Sequence, residues 1–97
     1  MSDSGFLGWA KFVLHLPYAH SLKEKRSAIH SIKEKIRSAT GASVAEVDGT
    51  ATWQSATIVV ALVSNEASYI ETAWNEMLKI IQNRDDVVIV TAEKQWR

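Results

Sequence analysis

Residues 15–37, HLPYAHSLKEKRSAIHSIKEKIR, constrain the fold more tightly than any other stretch of the chain. A strand ends there, Pro17 turns the backbone, and Ser21 followed by Glu24 forms the Ser-x-x-Glu pattern that caps a helix by reciprocal hydrogen bonds between side chain and backbone. A helix is therefore predicted from Leu22 to about Ala39, with Gly41 placed to take the left-handed conformation that closes one. On it Leu22, Ala28, Ile29, Ile32, Ile36 and Ala39 share one broad face, which another layer must cover.

The flanking segments supply that layer. From Phe6 to Leu16 the chain alternates, with Ala10, Phe12, Leu14 and Leu16 on one side and Trp9, Lys11, Val13 and His15 on the other, the period of a half-buried strand. Beyond the helix, Ser43–Asp48 reads as a short mixed strand and Asp48-Gly49 as a hairpin turn. Trp53–Val63 follows as a long strand, apolar on both faces. Ser64 or Asn65 is placed to cap a second helix, Glu66 to about Gln82, whose Ile70, Ala73, Trp74, Met77, Leu78 and Ile81 share a face. Asn83–Asp86 turn the chain into a last strand, Val87 to about Glu93, with a frayed EKQWR end.

The order β-α-β-β-α-β, with the most apolar strands, one and three, at the centre, predicts an α+β, ferredoxin-like split β-α-β fold. Its four-stranded antiparallel sheet has the order 4-1-3-2, and both helices lie on one face. Ninety-seven residues suffice for one such core, so 6–97 are read as a single domain and 1–5 as a flexible N-terminal tail.

Several function classes are disfavoured. The absence of cysteine removes disulfides, thiol nucleophiles and cysteine zinc sites. MSDSGFLGWAK is too short and too charged for a signal peptide, and no apolar run approaches about 18 residues, so a cytoplasmic location without membrane contact is expected. The three histidines offer no i, i+4 pair to grip a metal, and Ser21 beside His20 lacks a third group to orient a triad. Glu46 and Asp48 alternate on one strand, where such charges discourage edge pairing more often than they catalyse. No glycine occurs in PYAHS, against the anion loop that acyl-phosphate hydrolysis on this fold would need. No catalytic residue, metal or cofactor is assigned, and a non-enzymatic role is expected.

The charge is neutral in sum but unevenly placed. Residues 1–41 carry seven bases against three acids, +4, and residues 42–97 carry four bases against eight acids, −4. Lys23, Arg26, His30, Lys33 and Arg37 fall on one stripe beside the apolar face of the first helix, a pattern that suits a phosphate backbone and, more often, is a solvated helix face. The topology brings the Pro17–Ser21 corner, the helix start, the Asp48–Trp53 hairpin and the Asn83–Asp86 turn to one end of the sheet. His20, Lys25, Trp53 and Gln54 therefore join the stripe as candidate RNA- or anion-binding residues, with Glu46 and Asp48 nearby. Lys25 falls in the middle of the apolar face, where its stem can lie along the core while its ammonium bridges to Glu46 or Asp48. The opposite, open face of the sheet shows Trp9, Val13, Val59, Ala61 and Val63, apolar enough to suggest a homodimer or another protein partner. Strand three, WQSATIVVALV, lacks the aromatic segment with which RNA-recognition motifs bind across a sheet. RNA or a ribosomal subunit and a second copy of the chain are thus the candidate partners, and DNA is not an expected one.

HLPYAHSLKEKR, SVAEVD and WQSATIVVALVSN together resemble the small bacterial YlxP-like family over about residues 7–93. The resemblance implies a ferredoxin-like fold, a bacterial cytoplasmic setting, and genes that sit among those for translation initiation, ribosome maturation and tRNA modification. It brings no catalytic residues. Ser21, Leu22, Lys23, Lys25, Arg26, Glu46, Trp53 and Gln54 are the family-like positions, while the Gly49–Thr52 turn and the segment before Phe6 depart from the pattern.

Overall fold

A computed structural model describes residues 5–47 and 52–96, in the order β1 (Phe6–His15), α1 (Leu22–Thr40), β2 (Ser43–Val47), β3 (Ser55–Ser64), α2 (Ala67–Gln82) and β4 (Val88–Trp96). The sheet order is β2-β3-β1-β4, as predicted, with every neighbouring pair antiparallel. Central β1 and β3 pair over their full lengths, from Phe6 opposite Ser64 to His15 opposite Ser55. β1 turns Ala10, Phe12 and Leu14 to the buried side and β3 is apolar on both faces, the composition that suits the two central positions. The predicted Asp48-Gly49 turn and all but the last residue of the N-terminal tail lie outside the described residues.

Local chemistry sets the ends of α1. The Ser21 hydroxyl accepts the Glu24 backbone N–H at 3.1 Å, and the Glu24 carboxylate accepts the backbone N–H of His20 at 2.7 Å, one residue before that of the usual box. At the other end Gly41 takes φ 76° and donates its N–H to the Arg37 carbonyl at 2.9 Å. Between them Ala28, Ile29, Ile32 and Ile36 are buried. Leu22 and Ala39, predicted to be on the same face, lie exposed at its margins, and Lys25 and Thr40 are buried in their place. Thr40 satisfies its hydroxyl by donating to the Ile36 carbonyl and accepting from the Ala42 N–H.

Three boundaries differ from expectation. β3 begins at Ser55, leaving Trp53 and Gln54 in a turn, because the Gln54 carbonyl is taken by the Leu16 N–H and the His15 ring, each at 3.0 Å. α2 begins at Ala67 with Glu66 as an N-cap that makes no side-chain bond; Ser64 stays paired in the sheet and its hydroxyl accepts the Glu66 N–H instead. β4 is not frayed after Glu93 but runs to Trp96, because the ten-residue edge of β1 offers partners up to Gly8. Lys94 then ties β4 to α2, with its ammonium 2.9 Å from the Glu71 carboxylate and 5.2 Å from the centre of the Trp74 ring. Opposite Val13 and Leu14 the register shifts, and Val90 becomes the extra residue of a bulge.

Between sheet and helices Phe12, Leu14, Leu16, Ile29, Ile32, Ile36, Ile58, Val60 and Ile81 are almost wholly buried, and Phe12 stacks on Trp74 with ring centres 5.3 Å apart. α2 packs tightly on β1 at Gly8, where an added Cβ would lie 2.4 Å from Ile70 Cγ2. Gly8→Ala is therefore expected to cost about 1–3 kcal/mol in the wild type by overpacking. It should be close to neutral once Ile70→Ala has removed the opposing methyl, and a double-mutant cycle in urea reads that coupling.

The α2–β4 turn is clamped by Arg84, which donates to both carboxylate oxygens of Asp86 at 2.9 Å and to the Ser31 hydroxyl of α1 at 3.0 Å. These hydrogen bonds from Arg84 hold the Asp86 carboxyl below the ordinary aspartate range, against a smaller opposing effect of burial. With the folded pKa depressed, the unfolded chain binds the proton more readily. The clamp's contribution is thus full above the unfolded value, about 4, and is lost as pH falls through the folded one. Urea midpoints should show wild type more stable than Asp86→Asn near neutrality, with the gap narrowing through the acid range.

Candidate nucleic-acid interface

The predicted neighbourhood at one end of the sheet is assembled by a short set of polar contacts. Gln54 binds the corner twice: its carbonyl as above, and its side-chain amide by donating to the Pro17 carbonyl at 3.4 Å. Lys25, 4% exposed, donates to the Thr52 carbonyl at 3.1 Å and lies 3.4 Å from a Glu46 carboxylate oxygen. Its cation thus has an acidic partner on β2, and the corner, α1, β2 and the start of β3 are held as one unit. The alternative partner Asp48 lies outside the described residues. On this unit His20 is exposed, Trp53 is 43% exposed and Gln54 is half-buried.

Along α1 the basic stripe faces the β2 side of the molecule, since Lys25 and Arg37 reach β2 while Ser31, on the other flank, meets Arg84. Lys23, Arg26 and His30 are exposed and Lys33 is half-buried; none has a hydrogen-bonding or ionic partner among the described residues. Arg37 behaves differently. Its guanidinium donates to Glu34 at 2.6 Å and to the Val44 carbonyl at 3.0 Å, so it steadies β2 from the helix and is the least available cation of the stripe.

Tyr18, which no sequence pattern singles out, is 68% exposed and is the most open aromatic ring described. It sits in the corner next to Pro17, which Gln54 holds, and it borders a shallow cleft with Leu16, Ala19, Glu24, Ala28 and Asp86. A turn has no hydrophobic period, so nothing in its sequence surroundings marks this ring as exposed. Among the described residues no three His, Asp or Glu side chains are grouped to hold a metal ion, and no helix is long and apolar enough to cross a membrane.

Chemically, this face offers three unpartnered bases spread over about three helical turns, with the exposed ring of Trp53 at one end, next to the Thr52 carbonyl that Lys25 holds; Tyr18 borders the other flank of α1, towards Asp86. Cations at helical spacing meet phosphates, and exposed rings beside them can stack on bases. The scaffold that presents them is a ferredoxin-like α+β sandwich, four antiparallel strands under two helices. The chain belongs to a family of proteins of unknown function, DUF503, whose model matches residues 7–94.

Three solved structures share the fold. SnoaB, described as a cofactor-independent oxygenase from Streptomyces nogalater, is 10% identical, with 96% of this chain and 90% of that chain covered and a TM-score of 0.52. The de novo designed protein Foldit4 is 15% identical over 95% and 93% of the two chains, TM-score 0.52, and the structural-genomics protein YJCS is 8% identical over 92% and 96%, TM-score 0.51. At these identities the likeness is one of architecture alone. A comparison with curated proteins gives no significant match.

Proposed function

We propose that this chain is a YlxP-like, non-catalytic accessory protein of the bacterial cytoplasm that contacts single-stranded RNA on a ribosomal particle through α1 and the adjoining corner. Lys23, Arg26 and Lys33 meet phosphates, with His30 alongside. Trp53 stacks on a base. His20, Lys25, Gln54 and Arg37 shape and brace the surface.

One observation carries the proposal. Lys25, Arg37, Arg84 and Lys94, the bases that brace the fold, each have a carboxylate within reach, at 3.4, 2.6, 2.9 and 2.9 Å. Lys23, Arg26 and Lys33, aligned on one flank of α1, have none among the described residues. A protein of zero net charge that concentrates unpaired cations on one helix has a surface suited to a polyanion. The exposed Trp53 ring favours a single strand over a duplex, since stacking needs bases that are already splayed. Titration of a fluorescent single-stranded RNA oligonucleotide at increasing salt tests this. Log affinity should fall linearly with log salt. Absence of binding at the lowest salt overturns the proposal.

A further inference from the structure

The sheet face away from the helices is left uncovered by every described element. Leu7 and Val63 stand opposite one another near one end, 37% and 71% exposed, and Val88, 52% exposed, closes the other. Val47 on β2 is 37% exposed, and Trp9, Val13, Val59 and Ala61, in the middle, are partly buried by one another. We infer that this face binds a second copy of the chain, sheet against sheet, in a two-fold symmetric dimer with the helices outside.

Three properties favour a second copy over another occupant. The first is charge. The alternating pattern and the register place Lys11 and Glu93 directly opposite one another as the face's only formally charged side chains among the described residues. The face is therefore neutral, and an isologous contact brings no net repulsion. A strongly charged partner would find nothing there to recognise. The second is extent. Three strands of nine or ten residues and one of five, at about 3.3 Å per residue and about 4.8 Å apart, give a flat footprint on the order of 540 Å², so two such faces bury about 1,080 Å², just above the roughly 1,000 Å² a specific interface requires. The third is shape. Two sheets with the same right-handed twist pack aligned, and a second copy supplies that twist without adjustment.

Sedimentation velocity at micromolar concentration tests the inference, using wild type, Val63→Lys and Val59→Lys. Val63 is already largely in water, so Val63→Lys keeps the protomer folded, as circular dichroism can check. Val59→Lys strikes the centre of the face. Wild type should sediment as a dimer at low and high salt alike, and Val63→Lys should weaken association about tenfold or more. Val59→Lys should be monomeric. A wild-type monomer overturns the inference, as does a dimer whose association the folded Val63→Lys variant leaves unchanged. The outcome is independent of RNA binding, which Lys23, Arg26 and Lys33 govern on the opposite side of the molecule.

Discussion

Phe12→Ala is expected to remove about 3–5 kcal/mol of stability, the range for truncating a large buried ring. Phe12 is 0% exposed, lies opposite Ile58 on β3 and Ala92 on β4, and stacks on Trp74 of α2 at 5.3 Å. Strands on both sides and a helix above prevent collapse into the space it would leave, which puts the cost in the upper part of that range. Domains of this size hold about 5–15 kcal/mol in all. At about 4–8 °C per kcal/mol, the midpoint of thermal unfolding should drop by on the order of 20 °C. Urea unfolding monitored by tryptophan emission measures the loss, since Trp74 reports on the same contact. A loss below about 1 kcal/mol, the size of an ordinary surface change, would contradict the placement of the core.

The second large effect concerns the basic flank of α1. Lys23→Gln, Arg26→Gln and Lys33→Gln combined should leave stability almost unaltered, because none of the three side chains has a partner to lose among the described residues and glutamine is a good helix former. Each phosphate contact on a single strand contributes about 0.7 to the slope of log affinity against log salt. Removing three lowers that slope by about 2 and weakens binding at about 0.1 M salt roughly a hundredfold. Arg37→Gln should instead lower stability with little change in the slope, since its guanidinium already holds Glu34 and the Val44 carbonyl.

Much of this architecture could be read from local chemistry. Ser21, Glu24 and Gly41 bound α1 because capping depends on residues close in sequence, and the alternation in β1 and the apolar run in β3 mark the central strands. Lys25 was legible as an oddity, a cation on an apolar face, and Glu46 as one of two candidate partners. The choice between carboxylates depends on tertiary distance. Contacts to backbone carbonyls were not legible, since every residue carries one. Thus Arg37 reads as one more base of a stripe until Val44 is seen beneath it, and Trp53 reads as strand until the Gln54 carbonyl turns out to bind His15 and Leu16. The reach of β4 to Trp96 depends on the length of β1, a strand some eighty residues earlier in the chain.

The most direct test of the central claim is the salt dependence of single-stranded RNA binding, measured side by side for wild type and the Lys23, Arg26 and Lys33 triple-glutamine variant. Wild type should bind at low salt with a steep slope, and the folded variant should bind more weakly with a slope smaller by about 2. Equal slopes and affinities for the two proteins, or no binding by either, would contradict the assignment of α1 as an RNA-contacting surface.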